Sequence, residues 1–300
     1  MESRINKSGF VNIVGLPNSG KSTLVNALSE HKLSIVSPKP QTTRARIFSI
    51  CNLPQTQVIY SDLPGWIEQE NYPMQKMMND KIRESQADAD VLLMVVDGSR
   101  PKESSFTLTE ECRKLTIPKI LVINKKDKIP VSKIDQVKND LEFYNDLDYS
   151  FLVSALTGES ISDLRQQILE LIPVHEPYFS DDVASDKPIK FFLSELIREQ
   201  IYYLFEDEIP FSTFVEITKC KGVDDQLPMA SIEATIYTNK QSQIPILLGK
   251  NGSKIKELGI KSRIEIEQFL QQKAYLGLSI KLRKDWRNDI NFLEKSGVLR

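Results

Sequence analysis

One segment organises the chain: Gly15-Leu16-Pro17-Asn18-Ser19-Gly20-Lys21-Ser22, which matches the pattern G-x4-G-K-[ST]. It follows the apolar run 10–14 and precedes the amphipathic run 22–28, so the sequence predicts a strand, a glycine-rich turn and the start of a helix. Such a turn lets backbone N–H groups face phosphate oxygens, and the helix N-terminus adds partial positive charge. We therefore predict that this segment, the phosphate loop, binds phosphates, with Lys21 at the β- and γ-phosphates and Ser22 on Mg²⁺.

Two later segments supply groups that a phosphate-bound Mg²⁺ requires. Thr42-Thr43-Arg44 ends a proline-broken stretch that is typical of a loop, and the hydroxyl of Thr43 is the predicted Mg²⁺ ligand there. Asp62-Leu63-Pro64-Gly65 follows a predicted β-hairpin and forms a D-x-x-G motif. The Asp62 carboxylate can hold a Mg²⁺-bound water, and the Gly65 N–H can turn toward a γ-phosphate.

A further motif predicts which base is bound. Asn124-Lys125-Lys126-Asp127 directly follows the buried apolar run 119–123. The Asp127 carboxylate can accept hydrogen bonds from N1–H and the exocyclic amine of guanine, groups that adenine does not present. Ser154-Ala155-Leu156 follows the next predicted strand, where a backbone N–H would meet the guanine O6. The alternation of strands and helices across these motifs indicates an α/β domain.

Length, charge and cysteine content limit the classes of protein that remain. Three hundred residues with 40% apolar content favour two domains, and a formal net charge of −2 gives no global attraction to nucleic acid or anionic membrane. The three cysteines are widely spaced, which favours reduced thiols. The longest apolar run, 91–96, is too short to span a bilayer, so we expect a cytoplasmic protein.

The second half has a different pattern. Prolines 173, 177 and 188 bracket an acidic stretch that predicts a linker. The order after it is helix, strand, strand, apolar helix, G-x-x-G, helix, strand, which is how KH modules clamp a single-stranded backbone against an apolar platform. We predict RNA contacts from the following residues: Ile246, Leu247, Gly249, Lys250, Asn251, Gly252, Lys254 and Lys256.

Together, the motifs GLPNSGKS, TTR, DLPG, NKKD and SAL, followed by a KH module, resemble the Era family of bacterial GTPases of ribosome assembly over nearly the whole chain. The resemblance implies a P-loop GTPase domain of α/β class at residues 1–175, with a mostly parallel six-stranded sheet and helices on both faces. It further implies a linker at 176–188 and an α+β type II KH domain at 189–300.

The resemblance also implies the activity and the partners. It implies hydrolysis of GTP to GDP with Mg²⁺, and binding to 16S ribosomal RNA near its 3′ end during assembly of the 30S subunit. It implies a cytoplasmic protein with a peripheral pool at the inner face of the cell membrane, and we expect a monomer.

The chain departs from the family pattern at two positions near the reacting phosphate. Leu63 stands where the family's D-T-P-G has threonine, and Trp66 stands where the family more usually has an aliphatic residue. At the position of Trp66 a Ras-type GTPase has its water-positioning glutamine. Catalysis would then rest on Lys21, Thr43, the Gly65 N–H and added positive charge. Relatives with this loop use the equivalent of Asn18 to hold K⁺, although Asn18 could instead only shape the turn. The other candidate charges are Arg44, Arg46 and a partner's arginine.

Two other functions remain open at this level. The C-terminal half could be a protein-binding adapter on a GTPase, which an RNA-binding measurement would separate from a KH clamp. The chain could also be an RNA-binding scaffold with a degenerate nucleotide site. The second is disfavoured because Lys21, Asp62, Asn124 and Asp127 are all present.

Overall fold

The protein, in a computed structural model, divides into two compact units. The first comprises residues 1–71 and 75–186, and the second comprises 72–74 and 187–300. The structure describes residues 6–29, 33–37, 39, 41–103, 106–144, 146–223 and 228–295, without the side chains of Phe106, Phe143 and Lys295.

The first unit is built on one sheet. Its strands are β1 (Lys7–Val14), β2 (Ile47–Leu53), β3 (Thr56–Asp62), β4 (Val91–Asp97), β5 (Lys119–Asn124) and β6 (Tyr149–Leu152). The six strands lie in the order β2-β3-β1-β4-β5-β6. Strand β2 pairs antiparallel with β3 and all other pairs are parallel. The predicted mostly parallel six-stranded sheet is confirmed.

Helices cover both faces of this sheet. They are α1 (Lys21–Ser29), α2 (Pro73–Ser85), α3 (Phe106–Arg113), α4 (Ile134–Asp140) and α5 (Ile161–Leu171). Strand β4 is covered on both faces. On one face Leu93 and Val95 pack with α1 and α5, and on the other Leu92 and Met94 pack with α2, α3 and α4. Its residues are therefore apolar without alternation, as in a strand buried on both faces.

Some helices differ from their predicted bounds. The sequence predicts a helix over 132–144, but α4 spans only Ile134–Asp140, with 3₁₀ turns at Val131–Lys133 and Glu142–Tyr144. The sequence also predicts a helix over 104–115, and its start at Ser104 lies outside the described residues. Helix ends are the least predictable part of an element because the terminal turns commonly tighten.

The segment predicted as a linker lies along the first unit. The Ile50 N–H donates to the Ala184 carbonyl at 2.9 Å, and the Phe48 N–H donates to Asp186 Oδ1 at 2.9 Å. The Gln57 side-chain oxygen accepts from the N–H groups of Tyr178 and Phe179 at 2.8 and 3.0 Å. Residues up to 186 therefore cover the free edge of β2 and satisfy its backbone groups.

The second unit packs helices on a three-stranded sheet. Its helices are α6 (Ile189–Leu204), α7 (Ile209–Ser212), α8 (Gln243–Leu248), α9 (Ser253–Leu270) and α10 (Ile290–Lys295), and its strands are β7 (Thr213–Lys221), β8 (Met229–Thr238) and β9 (Lys273–Leu282). Strand β8 is central, antiparallel to β7 and parallel to β9. The predicted element order is confirmed. Among the described helices, none combines the length and apolar character needed to cross a bilayer.

Candidate nucleotide-binding and RNA-binding sites

The phosphate loop joins β1 to α1 with a backbone that its sequence requires. Gly15 and Gly20 have φ of 152° and 94°, which favour glycine, and Asn18 is left-handed at φ 63°, a region that asparagine tolerates. A Cβ on Gly20 would lie 2.3 Å from Asn124 Nδ2. The loop therefore needs glycine there so that the base-recognition motif can approach it.

Asn124 connects three of the predicted motifs at the carboxyl end of β5. Its Nδ2 donates to the Ser19 carbonyl at 3.0 Å, and its Oδ1 accepts from the Ala155 N–H at 3.0 Å. Asn124 is buried, so these bonds fix the phosphate loop against the loop at 154–156. The sequence placed these motifs at successive strand ends, and the structure brings them together.

The guanine-recognition groups face solvent in a defined orientation. The Ser154 hydroxyl donates to Asp127 Oδ1 at 2.6 Å, while the Asp127 side chain as a whole is exposed. Lys125 and Lys126 form ion pairs with Asp97 and Glu159, each at 2.6 Å, so both lysines brace the loop. The Asp127 carboxylate is thus oriented and accessible to a base, and Leu156 beside it is 74% exposed.

Three oxygen ligands that suit Mg²⁺ converge beside the phosphate loop. The Ser22 and Thr43 hydroxyl oxygens lie 2.8 Å apart, and Thr43 Oγ1 lies 3.4 Å from Asp62 Oδ2. Asp62 is fully buried, and its Oδ1 has no hydrogen-bond partner among the residues that the structure describes. Burial raises the pKa of the Asp62 carboxyl, against the opposing effects of nearby hydroxyls and Lys21. A buried carboxylate with an unused oxygen beside two hydroxyls fits a Mg²⁺ ion.

Lys21 is buried at the centre of the loop. Its Nζ donates to the carbonyl oxygens of Gly15 and Leu16, at 3.1 and 2.9 Å. Burial lowers the pKa of Lys21 to about 8, partly offset by the charge of Asp62. One cavity is lined by Lys21 together with Asn18, Ser22, Thr43 and Gly65.

The D-x-x-G segment is fixed against the phosphate loop by the close approach of Gly65 to Pro17. A Cβ on Gly65 would lie 2.7 Å from the Pro17 backbone, so only glycine fits this approach. Leu63 and Trp66 are 0% and 3% exposed and both pack in the apolar core between the sheet and α2. Leu63 can therefore reach a nucleotide only through its backbone. Trp66 does not present its indole N–H to the nucleotide, and within the described part of the chain this buried Nε1 has no hydrogen-bond partner.

Arg46 has a structural role. It donates to both oxygens of Asp88 at 2.7 and 2.8 Å, to Ser61 Oγ at 2.6 Å and to Asn12 Oδ1 at 3.1 Å. Arg44 is buried, at 4% exposure. Because its donors are already engaged on β1, β3 and the turn after α2, Arg46 is not the mobile charge that the sequence offered for the γ-phosphate.

The predicted RNA clamp lies between α8 and α9. Gly249, Asn251 and Gly252 have φ of 70°, 53° and 75°, and α9 begins at Ser253. A Cβ on Gly252 would meet nothing within 4 Å, so the loop is open on that side. The cationic side chains are exposed: Lys250, Lys254 and Lys256. An open glycine loop with cations at a helix N-terminus can hold a nucleic-acid backbone.

The apolar platform beside this loop differs from the prediction at one residue. Ile246 is 49% exposed, but Leu247 is 0% exposed and packs in the core of the second unit, so the prediction of Leu247 as an RNA contact is wrong. Leu248, which the sequence reasoning missed, is 39% exposed. Consecutive residues of a helix face different directions, and this rule could have shown that Ile246, Leu247 and Leu248 are not all exposed on one face.

Asp97 is a second residue that the motif search missed. Hydrogen bonds from Lys125 and Ser99 lower the pKa of the Asp97 carboxyl, outweighing the effect of burial. It orients the base-recognition loop through Lys125 Nζ at 2.6 Å. The sequence could have indicated Asp97, because it ends β4 at the same edge of the sheet as the other motifs.

The fold and these sites define a P-loop protein with a guanine-nucleotide site, joined to a KH unit. A family model described as a 50S ribosome-binding GTPase matches residues 10–125, and a KH domain model matches residues 208–287.

Relatives align over almost the entire chain. GTPase Era of Elusimicrobium minutum is 35% identical over 298 residues, covering 98% of this chain and 97% of the relative. The chloroplastic GTPase ERA1 of Zea mays is 38% identical, covering 97% of this chain and 70% of the relative. A crystal structure of Era with MgGDPNP and nucleotides 1506–1542 of 16S ribosomal RNA is 33% identical with a TM-score of 0.90, covering 98% of this chain and 100% of that chain. The chain belongs to the GTPase Era family, and it is a GTP-hydrolysing enzyme.

Proposed function

We propose that this protein is a nucleotide-switched factor that binds 16S ribosomal RNA near its 3′ end through its KH unit and acts in assembly of the 30S subunit. The observation that carries the proposal is the open glycine loop at 249–252, with three exposed lysines and the exposed apolar side chains of Ile246 and Leu248 beside it. An Era structure that holds both MgGDPNP and this RNA region supports the same assignment.

The nucleotide-site residues of the first unit have distinct roles in the hydrolysis. Lys21 and the phosphate-loop N–H groups bind the β- and γ-phosphates, and the Gly65 N–H orients the γ-phosphate. Mg²⁺, held by Ser22, Thr43 and Asp62, would neutralise charge that develops on the phosphate oxygens. The side chain of Trp66 lies in the core, so this chain supplies no glutamine-like group at that position to orient water.

We also propose that Asn18 holds a K⁺ ion beside the nucleotide. Asn18 is exposed and lines the same cavity as Lys21 and Ser22. A monovalent cation there would supply the positive charge that Arg46 does not. The alternative, that Asn18 only shapes the turn, is consistent with its left-handed backbone.

The potassium proposal is tested by GTP hydrolysis in KCl and in NaCl at equal ionic strength. We expect faster hydrolysis in KCl, and loss of the difference in Asn18→Gly. Glycine tolerates the left-handed backbone and removes only the side-chain oxygen, so it separates ion binding from turn geometry. Equal native rates in the two salts, with GTP binding intact, would contradict a role for K⁺.

The RNA assignment is tested by placing negative charge on the glycine loop. The double variant Lys250→Glu with Asn251→Asp should weaken binding of single-stranded RNA by about 1.5 to 3 kcal/mol, the value for a hydrogen bond to a charged group. GTP hydrolysis should persist, and native RNA affinity should fall as salt is raised.

The control adds the same charge elsewhere on the second unit. Lys221 and Gln241 are both exposed, so Lys221→Glu with Gln241→Glu should leave RNA binding close to native. If the loop variant binds RNA as well as this control, the clamp is the wrong site and a protein-binding adapter becomes the favoured function.

We infer three further properties of the protein from its resemblance to the family. We infer a cytoplasmic protein with a peripheral pool at the inner face of the cell membrane, and a monomer in solution. We also infer functional boundaries at 1–175 for the GTPase domain, 176–188 for the linker and 189–300 for the KH domain.

A further inference from the structure

A second cavity, of about 520 Å³, lies in the first unit beside the base-recognition loop. One wall is the loop 98–103 after β4, and the other is the segment 128–140, which follows Asp127 and includes α4. Its volume falls within the roughly 300–1,000 Å³ that small-molecule sites occupy. None of the residues assigned above to phosphate, Mg²⁺ or RNA lines it, so it is separate from both proposed sites.

The lining of this cavity combines an apolar part with a cationic rim. The apolar part includes Ile129 and Val137, which are 8% and 7% exposed, with Pro101 and Pro130. The basic residues in the lining outnumber the acidic ones: Arg100, Lys102, Lys128 and Lys133 against Glu103 and Asp140. Such a lining suits a molecule with one apolar part and one anionic part.

Most of these cations are available to a ligand. Among the described residues, no carboxylate lies within ion-pair distance of Lys102, Lys128 or Lys133. Arg100 contacts Glu103 at 3.4 Å, but the two side chains are 65% and 62% exposed, so water screens this pair. Lysine and arginine clusters of this kind bind phosphate through charge-assisted hydrogen bonds.

We propose that this cavity binds a phosphorylated small molecule of nucleotide size, with its phosphate between Lys128 and Lys133 and its apolar part against Ile129 and Val137. A concave site with the buried side chains of Ile129 and Val137 in its lining favours a small molecule, because a nucleic-acid backbone binds along open grooves.

The inner wall of the cavity is hydrogen-bonded to the guanine-recognition loop. The Gly98 N–H donates to the Asn124 carbonyl at 2.9 Å, and the Ile129 N–H donates to the Lys126 carbonyl at 3.0 Å. A Cβ on Gly98 would lie 2.6 Å from Ile129 Cδ1, so the two walls are in close contact. A ligand held between the two walls would therefore contact residues hydrogen-bonded to the loop that positions Asp127. If the ligand changes the affinity for the guanine nucleotide, the nucleotide changes the affinity for the ligand by the same factor.

The test uses the full chain loaded with Mg²⁺ and GDP, so that the guanine site is filled. AMP, CMP and ribose 5-phosphate are titrated while the backbone amide NMR signals of Gly98, Lys102 and Lys128 are followed, and adenosine serves as the comparison without phosphate. We expect saturable shifts at these residues for at least one phosphate ester, and weaker binding of adenosine than of AMP.

Two variants locate the binding. Lys128→Gln with Lys133→Gln should weaken the bound ester by about tenfold or more, since two charge-assisted bonds are removed. Lys138→Gln, on α4 but outside the lining, should bind as the native protein does. The proposal is overturned if none of the three esters gives saturable shifts, if adenosine binds as well as AMP, or if the double variant binds as the native protein does.

Discussion

Lys21 shows how burial tunes one group for its ligand. The Lys21 ammonium donates hydrogen bonds to the carbonyls of Gly15 and Leu16, and burial lowers its pKa to about 8, partly offset by the charge of Asp62. A bound phosphate would favour the charged form and raise this pKa again. Nucleotide binding should therefore be linked to protonation of Lys21.

This linkage predicts proton uptake on GDP binding above about pH 8. Below that pH Lys21 is already charged, so little uptake is expected. Above it the free protein has neutral Lys21 and the complex has charged Lys21, so affinity falls as pH rises. Calorimetry at about pH 7 and pH 9, in buffers of different ionisation enthalpy and with EDTA, measures the uptake. EDTA removes the Mg²⁺ whose binding at Asp62 could release a proton. Equal uptake near zero at both pH values would contradict a lowered Lys21 pKa.

Single residues also mark the limit of sequence reasoning. Asn124, Asp127 and Asp62 could be assigned because each ends or follows a strand in a spaced motif, and spacing is visible in sequence. The outward or inward direction of Leu247 and Trp66 depends on how a short helix and a loop pack, which their motifs do not encode. Leu247 was therefore predicted to contact RNA although it lies in the core, and the burial of Trp66 was not predicted.

At the scale of the element, Trp66 anchors the loop after β3 through both its backbone and its ring. The Trp66 N–H donates to the Gly15 carbonyl at 3.1 Å, and its ring packs among Leu63, Ile82 and Leu92, with the Arg83 guanidinium 5.0 Å from the ring centroid. We infer that Trp66 positions Gly65 by holding the loop in the core, and that it does not act on water.

This inference predicts the outcome of restoring a Ras-type residue. Trp66→Gln should not accelerate hydrolysis, because the new amide replaces a side chain that points into the core. It should lower the free energy of unfolding by about 3 to 5 kcal/mol, the range for truncating a buried tryptophan. Denaturant unfolding and GTPase rates measure the two effects.

Trp66→Leu is the matched variant, because it keeps an apolar side chain at the same place. It should lose less stability than Trp66→Gln and retain hydrolysis with little change in KM. A Trp66→Gln protein that hydrolyses GTP faster than the native one would show that this position faces the γ-phosphate.

The helices and strands were largely predictable from the sequence, but the contacts between them were not. The strands β7 to β9 and the order of the second unit follow from apolar alternation and the G-x-x-G spacing. The covering of the β2 edge by residues 178–186 was not expected, since prolines and acids there favoured a free linker. Most of its hydrogen bonds join one backbone group to one polar side chain, such as those of Gln57 and Asp186, and single polar side chains form no periodic pattern in the sequence.

At the scale of the whole molecule, the chain combines two units with a balanced net charge of −2. RNA binding must then come from a local patch. From Lys250 to Arg263 there are five basic residues and one acid: Lys250, Lys254, Lys256, Lys261 and Arg263 against Glu257. Glu257 is paired with Lys254 and Lys261 at 3.4 and 3.2 Å, so the patch remains cationic near the glycine loop.

In the proposed function, GTP controls binding of the KH unit to the 3′ end of 16S ribosomal RNA. Crosslinking to ribosomal RNA followed by sequencing, performed with GDPNP and with GDP, measures this control. We expect crosslinks concentrated near the 3′ end, stronger with GDPNP, and lost in Lys250→Glu with Asn251→Asp. Crosslinks spread along the RNA, or equal in both nucleotide states and unaffected by the variant, would contradict the proposed function.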